Sequence, residues 1–213
     1  MPDGQYSFYL HSDDRTDIAA MATISTISQP LRGEFIRTAA TAGAVVYQVD
    51  ARLPALIPVF FAGQLSAVRL CAVMALVSGT WSSLTGLPDE PENGGAALPV
   101  SPETEYQRRR YTLTLQNGRS GERVESVLTE ASSRLRGDLL RNLIITGLAL
   151  HTTAPELPRL LASMPVPPTS VSELQALVQQ MAGTADVNRA AAAVPDTPAA
   201  PAAPVSGADT REI

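Results

Sequence analysis

The sequence predicts an all-α fold with one small β element, and three observations carry it. Apolar residues recur at three- and four-residue spacing from about Asp13 to Met181, the period of helices that bury one face. Only two short stretches alternate like strands, around Tyr6–Tyr9 and Tyr111–Leu115. Proline or glycine punctuates the boundaries between the periodic runs. With 213 residues, 45% of them hydrophobic, the chain is long enough for one sizeable core, with or without a tail.

Tyr6, Phe8 and Tyr9 form a strand or extended segment within residues 1–11. Ser12 then precedes Asp13, Asp14 and Asp17, an N-cap followed by acids where a helix dipole favours them. This predicts a helix to about Ser28, with Ile18, Met21, Ala22, Ile24 (or Ser25) and Ile27 inward. Gln29-Pro30 ends it. A second helix runs from about Leu31 to Tyr47 with Phe35, Ala39, Ala42 and Val46 in helical register. Arg52-Leu53-Pro54 and Pro58 mark an extended or strand segment reaching Phe60 and Phe61. A third helix follows from about Gln64 to Ser78, stopped by Gly79. It is apolar nearly all round, with Arg69 as its one charge, and is expected to be the most buried.

Residues 82–117 change character. A Pro/Gly-rich loop carries Asp89, Glu90, Glu92, Glu103 and Glu105 and is followed at once by Arg108, Arg109 and Arg110. Tyr111–Leu115 alternates like a strand or opens a helix, and Asn117-Gly118 is a turn signal. Ser120–Leu150 is the longest stretch that reads as one helix. Val124, Leu128, Ala131, Leu135, Leu139 and Leu143 share one face, and Arg123, Arg134 and Arg141 share another. Residues 151–189 are broken by prolines, with a short amphipathic helix over Ser170–Met181. Residues 190–213 are an Ala/Pro-rich tail. No internal repeat is visible.

Composition excludes several chemistries. All 16 basic residues are arginine. Without lysine there is no Schiff base, phosphate-loop lysine or kinase-type lysine. A GC-rich coding sequence accounts for this bias and for the abundant Ala, Gly and Pro. The single cysteine, Cys71, lies in an apolar run and reads as a core thiol, so no disulfide or cysteine zinc site forms within one chain. The polar N-terminus is not a signal peptide. Leu53–Val77 is apolar, but Pro54, Pro58, Gln64 and Arg69 interrupt it, so it reads as buried protein rather than a membrane span. His11 and His151 are the only histidines, and no metalloprotease, nucleophile-elbow or nucleotide-binding pattern is present. The acids of the loop lack calcium-loop spacing. Neither enzyme activity, a metal, a cofactor nor a small-molecule substrate is expected.

The arginines remain. A charged helix face is ordinarily solvated, and a triple arginine beside five acids ordinarily balances them. Arg108, Arg109, Arg110, Arg119 and Arg123 nonetheless form a local basic stretch suited to phosphate contact, in a chain whose net charge is −5. Nucleic-acid binding here has to come from such a patch.

The order of features resembles the coat proteins of rod-shaped helical plant viruses, the tobamovirus type. Gly4-Gln5-Tyr6-Ser7-Phe8-Tyr9-Leu10 is similar to the aromatic N-terminus of that family. Arg37-Thr38-Ala39-Ala40 is similar to its second helix, and Arg52-Leu53-Pro54 to its Arg-Phe-Pro. Gly121-Glu122-Arg123-Val124 and Asn142-Leu143-Ile144 are similar to its fourth helix. The likeness covers roughly residues 4–150. It departs at the paired aspartates of the fourth helix, where only Glu122 and Glu125 are nearby.

The resemblance implies an antiparallel four-helix bundle over residues 1–150, with a small β element at one end and residues 82–117 as a long inner loop. It implies polymerisation into a helical rod around single-stranded RNA, in the virion and, during assembly, the host cytoplasm. Carried over, Arg37, Arg108, Arg109, Arg110, Arg119, Arg123 and Arg134 bind RNA phosphates, with Arg136 as a further candidate. Asp89, Glu90, Glu92, Glu103 and Glu105 are the inter-subunit carboxylates. The alternatives are a phage or cellular interaction module with the acidic loop as partner site, and a membrane-associated protein using Leu53–Val77.

Overall fold

Tyr6, Phe8 and Leu10 alternate with polar residues, and the structure uses that alternation directly. The structure is a computed structural model that describes residues 4–81 and 107–192, with side chains as far as Gly183. Strand β1 (Gln5–His11) pairs antiparallel with β2 (Arg108–Thr114), with Phe8 opposite Tyr111 and Ser7 opposite Thr112. One face of this ribbon is sealed: Phe8 and Leu10 are fully buried and Leu113 nearly so, and the Phe8 and Tyr111 rings stack 5.2 Å apart.

Each strand is followed by four α-helices in a matching order. After β1 come α1 (Arg15–Ser25), a 3-10 turn (Gln29–Leu31), α2 (Arg32–Val49), α3 (Leu53–Phe60) and α4 (Ala67–Ser78). After β2 come α5 (Arg119–Glu130), α6 (Arg136–Thr153), α7 (Leu157–Ser163) and α8 (Val171–Ala192). The chain is therefore an internal duplication, which sequence inspection misses. Once the structure supplies the register, the repeat is readable. Leu31-Arg32-Gly33-Glu34-Phe35-Ile36-Arg37 returns as Leu135-Arg136-Gly137-Asp138-Leu139-Leu140-Arg141. Gly43 returns as Gly147, Leu53-Pro54 as Leu157-Pro158, and Ser66 as Ser170. Between these anchors one apolar residue replaces another, so the period is hidden.

Local chemistry repeats as well. The side chain of Arg32 donates through Nε to the carbonyl of Ile27 at 2.8 Å, and Arg136 does the same to Ala131 at 3.2 Å. Each arginine thereby satisfies a carbonyl just beyond the preceding helix. Ser66 and Ser170 each accept the amide three residues on, as N-caps do.

The repeats meet through α2 and α6, whose packing is the most extensive between helices. A Cβ added at Gly43 would run into the backbone of Leu143, and one at Gly147 into the backbone of Ala39. The two glycines thus let two helix backbones touch at symmetry-related points. Ala39, Ala40, Ala42 and Ala44, all buried, keep the interface thin.

Several expectations are corrected. Ser120–Leu150 is two helices, because Ala131 takes an extended conformation (φ −83°, ψ 145°) and the Leu135 amide closes a turn on the Ser132 carbonyl. Arg123, Arg134 and Arg141 therefore do not form one row: Arg134 lies in the exposed connection between α5 and α6. Leu53–Phe60 is a helix, since Pro54 sits in its first turn, where a missing N–H costs nothing. The buried residues of α1 are Asp17, Ala19, Ala20 and Ile24, with Ala22 exposed, and its N-cap is Asp14 rather than Ser12. The most buried helices are α2 and α6; α4 exposes Val68 and Leu76. The short helix expected over Ser170–Met181 runs Val171–Ala192. The coat-protein likeness implies four helices, whereas the described residues hold eight around one central close approach. Among the described residues no helix is long and apolar enough to cross a membrane.

Arg52 ties the first repeat together at its far end. Its guanidinium donates to both carboxylate oxygens of Asp50, at 3.0 and 2.7 Å, and to the Val77 carbonyl at 2.8 Å. These hydrogen bonds hold the Asp50 carboxyl below its ordinary value of 3.8. A depressed folded-state pKa means that Asp50 contributes stability above that ordinary value and loses it as pH falls through the folded value. We expect Asp50→Asn to flatten the acid limb of a stability-against-pH curve, as measured by urea unfolding. An unchanged limb would show that the pair contributes nothing.

Candidate nucleic-acid interface

The ribbon has a second face. With Tyr6, Phe8 and Leu10 turned inward, Gln5, Ser7, Tyr9 and His11 turn outward. Their partners Thr114, Thr112, Arg110 and Arg108 stand beside them. Arg108, Arg110, Thr112 and Thr114 are exposed. Among the described residues no carboxylate belongs to this face.

Two of its arginines are preset. The Arg108 guanidinium lies 3.5 Å over the centre of the Tyr9 ring, a cation–π contact. Arg110 donates to Ser7 Oγ from Nε at 3.2 Å and from its terminal nitrogen at 2.9 Å. Arg109 points the other way and lies 5.3 Å over Tyr111.

The starts of α2 and α6 approach the ribbon from its two sides. A Cβ added at Gly137 would lie 3.5 Å from the Ser7 carbonyl oxygen. The positive charges of Arg136 and Arg32 reach the phenols of Tyr6 and Tyr111 respectively, although burial is the larger influence and raises both phenol pKa values. Each helix is 18 residues long and directs the positive end of its dipole toward the ribbon's flank.

The two flanks differ. Beside the end of β1 is an open cleft of about 430 Å³ lined by His11, Asp13, Asp14, Asp17, Asp138, Arg141 and Asn142. Asp17 is fully buried there. One of its oxygens accepts the His11 amide at 2.8 Å, and the other accepts Arg141 Nε at 2.6 Å. Burial outweighs both partners and raises the Asp17 pKa. Arg141 also reaches Asp14 at 3.3 Å. At the equivalent places in the second repeat stand Gly118 and Gly121, so the equivalent arginine, Arg37, has no ion pair among the described residues.

The arginines named from sequence thus part company. Arg108 and Arg110 lie on the ribbon face, and Arg109 is exposed on the other side of the same strand. Arg119 begins α5. Arg123 is half-buried, and burial lowers its pKa, with Arg119 adding to the effect. Arg37 is half-buried on α2 and Arg134 is exposed. Sequence reading missed Gln5, Ser7, Tyr9, Thr112 and Thr114 as surface groups. Their alternation with buried neighbours was the available signal. It also missed Arg32, which the repeat makes visible as the counterpart of Arg136. The proposed carboxylates Asp89, Glu90, Glu92, Glu103 and Glu105 lie outside the described residues. Cys71 is buried, and burial raises its thiol pKa, which disfavours the reactive thiolate. Among the described residues no group of His, Cys, Asp or Glu is arranged to hold a metal ion.

Comparison with known proteins settles the family. A family model described as plasmid stability protein matches residues 4–74 and 109–178, about two thirds of the chain. The chain belongs to the plasmid stability protein family. The two matched segments correspond to the two repeats, and they begin in the register in which Gly4 corresponds to Arg109 and Tyr6 to Tyr111. No curated protein and no solved structure matches. Membership of the plasmid stability family overturns the coat-protein reading, and with it the capsid function and the location in a virion and host cytoplasm. The likeness rested on an aromatic N-terminus, a helix order and short arginine motifs, which a duplicated strand-and-helix unit supplies equally.

Proposed function

We propose that this protein binds double-stranded DNA by laying the β1–β2 ribbon in the major groove, as a DNA-binding component of plasmid maintenance. The observation that supports this reading is the solvent face of the ribbon. It is a two-stranded antiparallel surface of Gln, Ser, Tyr, His, Thr and Arg, without a carboxylate among the described residues, backed by a packed core and flanked by two related helix starts. The major groove of B-DNA, about 12 Å wide, admits a two-stranded ribbon, and these side-chain types bond base edges. The starts of α2 and α6, with Arg32 and Arg136, meet the phosphates on either side, where helix N-termini favour anions. The acidic net charge is compatible with this because the contact is local.

Single-stranded RNA, the partner implied by the coat-protein likeness, loses its basis with the family assignment. Duplex RNA offers a deep, narrow major groove that side chains do not read. The test is fluorescence anisotropy of the full chain with a labelled random-sequence DNA duplex, with single-stranded RNA as competitor. Binding is expected to weaken steeply with salt. Replacing Arg110 by Ala should lower affinity about tenfold or more, as loss of a base or phosphate contact does. Absence of duplex binding at low salt, or displacement by RNA at equal concentration, would overturn the proposal.

A further inference from the structure

We infer that the ribbon reads a non-palindromic duplex site made of two unlike halves, one met by the Gln5–Thr114 end of the ribbon and the other by the Tyr9–Arg110 end. This rests on the DNA-binding reading above and specifies its target.

In the ladder, Gln5 faces Thr114, Ser7 faces Thr112 and Tyr9 faces Arg110. A local two-fold through the Ser7–Thr112 pair therefore exchanges Gln5 with Arg110 and Tyr9 with Thr114. It also exchanges the inward residues Tyr6 with Tyr111 and Phe8 with Leu113. A ribbon built from two identical chains presents the same side chains to both half-sites, so its site mirrors that symmetry and is palindromic. Here both strands come from one chain, and the inward positions keep their aromatic or apolar character while the outward ones do not. The central pair, Ser7 and Thr112, is alike in chemistry. The outer positions differ. An arginine fork matches the O6 and N7 of guanine, whereas a glutamine amide matches the N6 and N7 of adenine. Tyr9 offers a ring where Thr114 offers a hydroxyl and a methyl.

The surroundings carry the same polarity. Arg141 is neutralised by Asp14 and Asp17. For its counterpart Arg37 the corresponding residues are Gly118 and Gly121, and Arg37 has no ion pair among the described residues. The two flanks thus offer phosphates unequal attraction, which fixes the direction in which the chain sits on the duplex.

The experiment is selection of the full chain against duplexes randomised over about 20 base pairs, two turns of the helix, followed by anisotropy on the selected site and its point variants. The expected motif is non-palindromic, with G·C in the half read by Arg110 and A·T in the half read by Gln5. Changing that guanine should cost about 5- to 100-fold in affinity. Arg110→Gln should move that half from G·C to A·T preference, and Gln5→Arg should do the converse and make the motif more nearly palindromic. Both positions are exposed on the strand, so folding is retained. A palindromic wild-type motif, or swaps that change affinity without moving base preference, would overturn the inference and leave DNA binding standing. A chain that binds no duplex at all would overturn both.

Discussion

Replacing Gly43 or Gly147 by Ala is expected to destabilise the protein by about 3 kcal/mol or more, the upper range for forcing atoms into a packed core. The reason is geometric. At both positions the added methyl meets backbone of the opposing helix, Leu143 in one case and Ala39 in the other. Backbone cannot rotate aside as a side chain does, so α2 and α6 have to separate. Separation opens the buried layer of Ala40, Ala44, Ile144 and Leu148 around the contact. Thermal unfolding should show a drop of about 6 to 12 °C for a chain of this size. The double variant should cost less than the sum of the two, because the first methyl already moves the helices apart. Gly33→Ala is the control. Its Cβ would meet only the flexible end of Arg37, at 3.7 Å, and an alanine favours a helix over glycine. A small effect at Gly43 equal to that at Gly33 would show that the repeats are not held by this contact.

The second large effect is expected at Asp17. Removing its carboxylate with Asp17→Ala leaves the His11 amide and the Arg141 guanidinium without their buried acceptor. Breaking one side of a buried pair costs about 3 kcal/mol, and here Arg141 keeps only the longer contact to Asp14, at 3.3 Å. The raised pKa of Asp17 has burial as its first cause, so the pair fixes a conformation more than it adds net stability. The sign of the pH effect follows. A raised folded-state value means that the contribution is full below the ordinary 3.8 and is lost as pH rises through the folded value. Asp17→Asn, which keeps the shape without the charge, should therefore be closest to wild type at the higher pH and fall furthest behind in acid. Chemical denaturation at several pH values checks this, and an Asn variant whose deficit grows with pH would contradict it. In the second repeat Gly121 stands at the equivalent position, so the fold tolerates the absence of the carboxylate when no arginine is drawn in against it.

Local structure was legible wherever one residue pattern decides it. The alternation of Tyr6, Phe8 and Leu10 specifies a strand with one buried face. Gly79, at φ 72°, ends α4 because a left-handed residue is needed there. Pro30 marks the break before α2. The arginine-only composition and single cysteine also follow from the sequence alone. What the sequence did not decide is everything that depends on partners distant in the chain. β1 and β2 pair across about a hundred residues, and nothing in Arg108–Thr114 names Gln5–His11 as its partner. Ser120–Leu150 reads as one helix because its apolar spacing runs through Ala131–Leu135, and only the packing of α5 and α6 in separate directions breaks it. Leu53–Phe60 reads as extended from its prolines, yet a proline in the first turn suits a helix that has somewhere to pack.

The duplication is the clearest case. Helix packing selects for size and apolarity, so the two repeats keep their shape while most of their identities differ. The sequence by itself determined the periods, the caps and the chemistry available. The tertiary structure alone decided that two related halves close on each other through Gly43 and Gly147. That closure places Gln5, Ser7 and Tyr9 beside Arg110, Thr112 and Thr114 on one exposed face, because backbone contact between α2 and α6 fixes where each strand must lie.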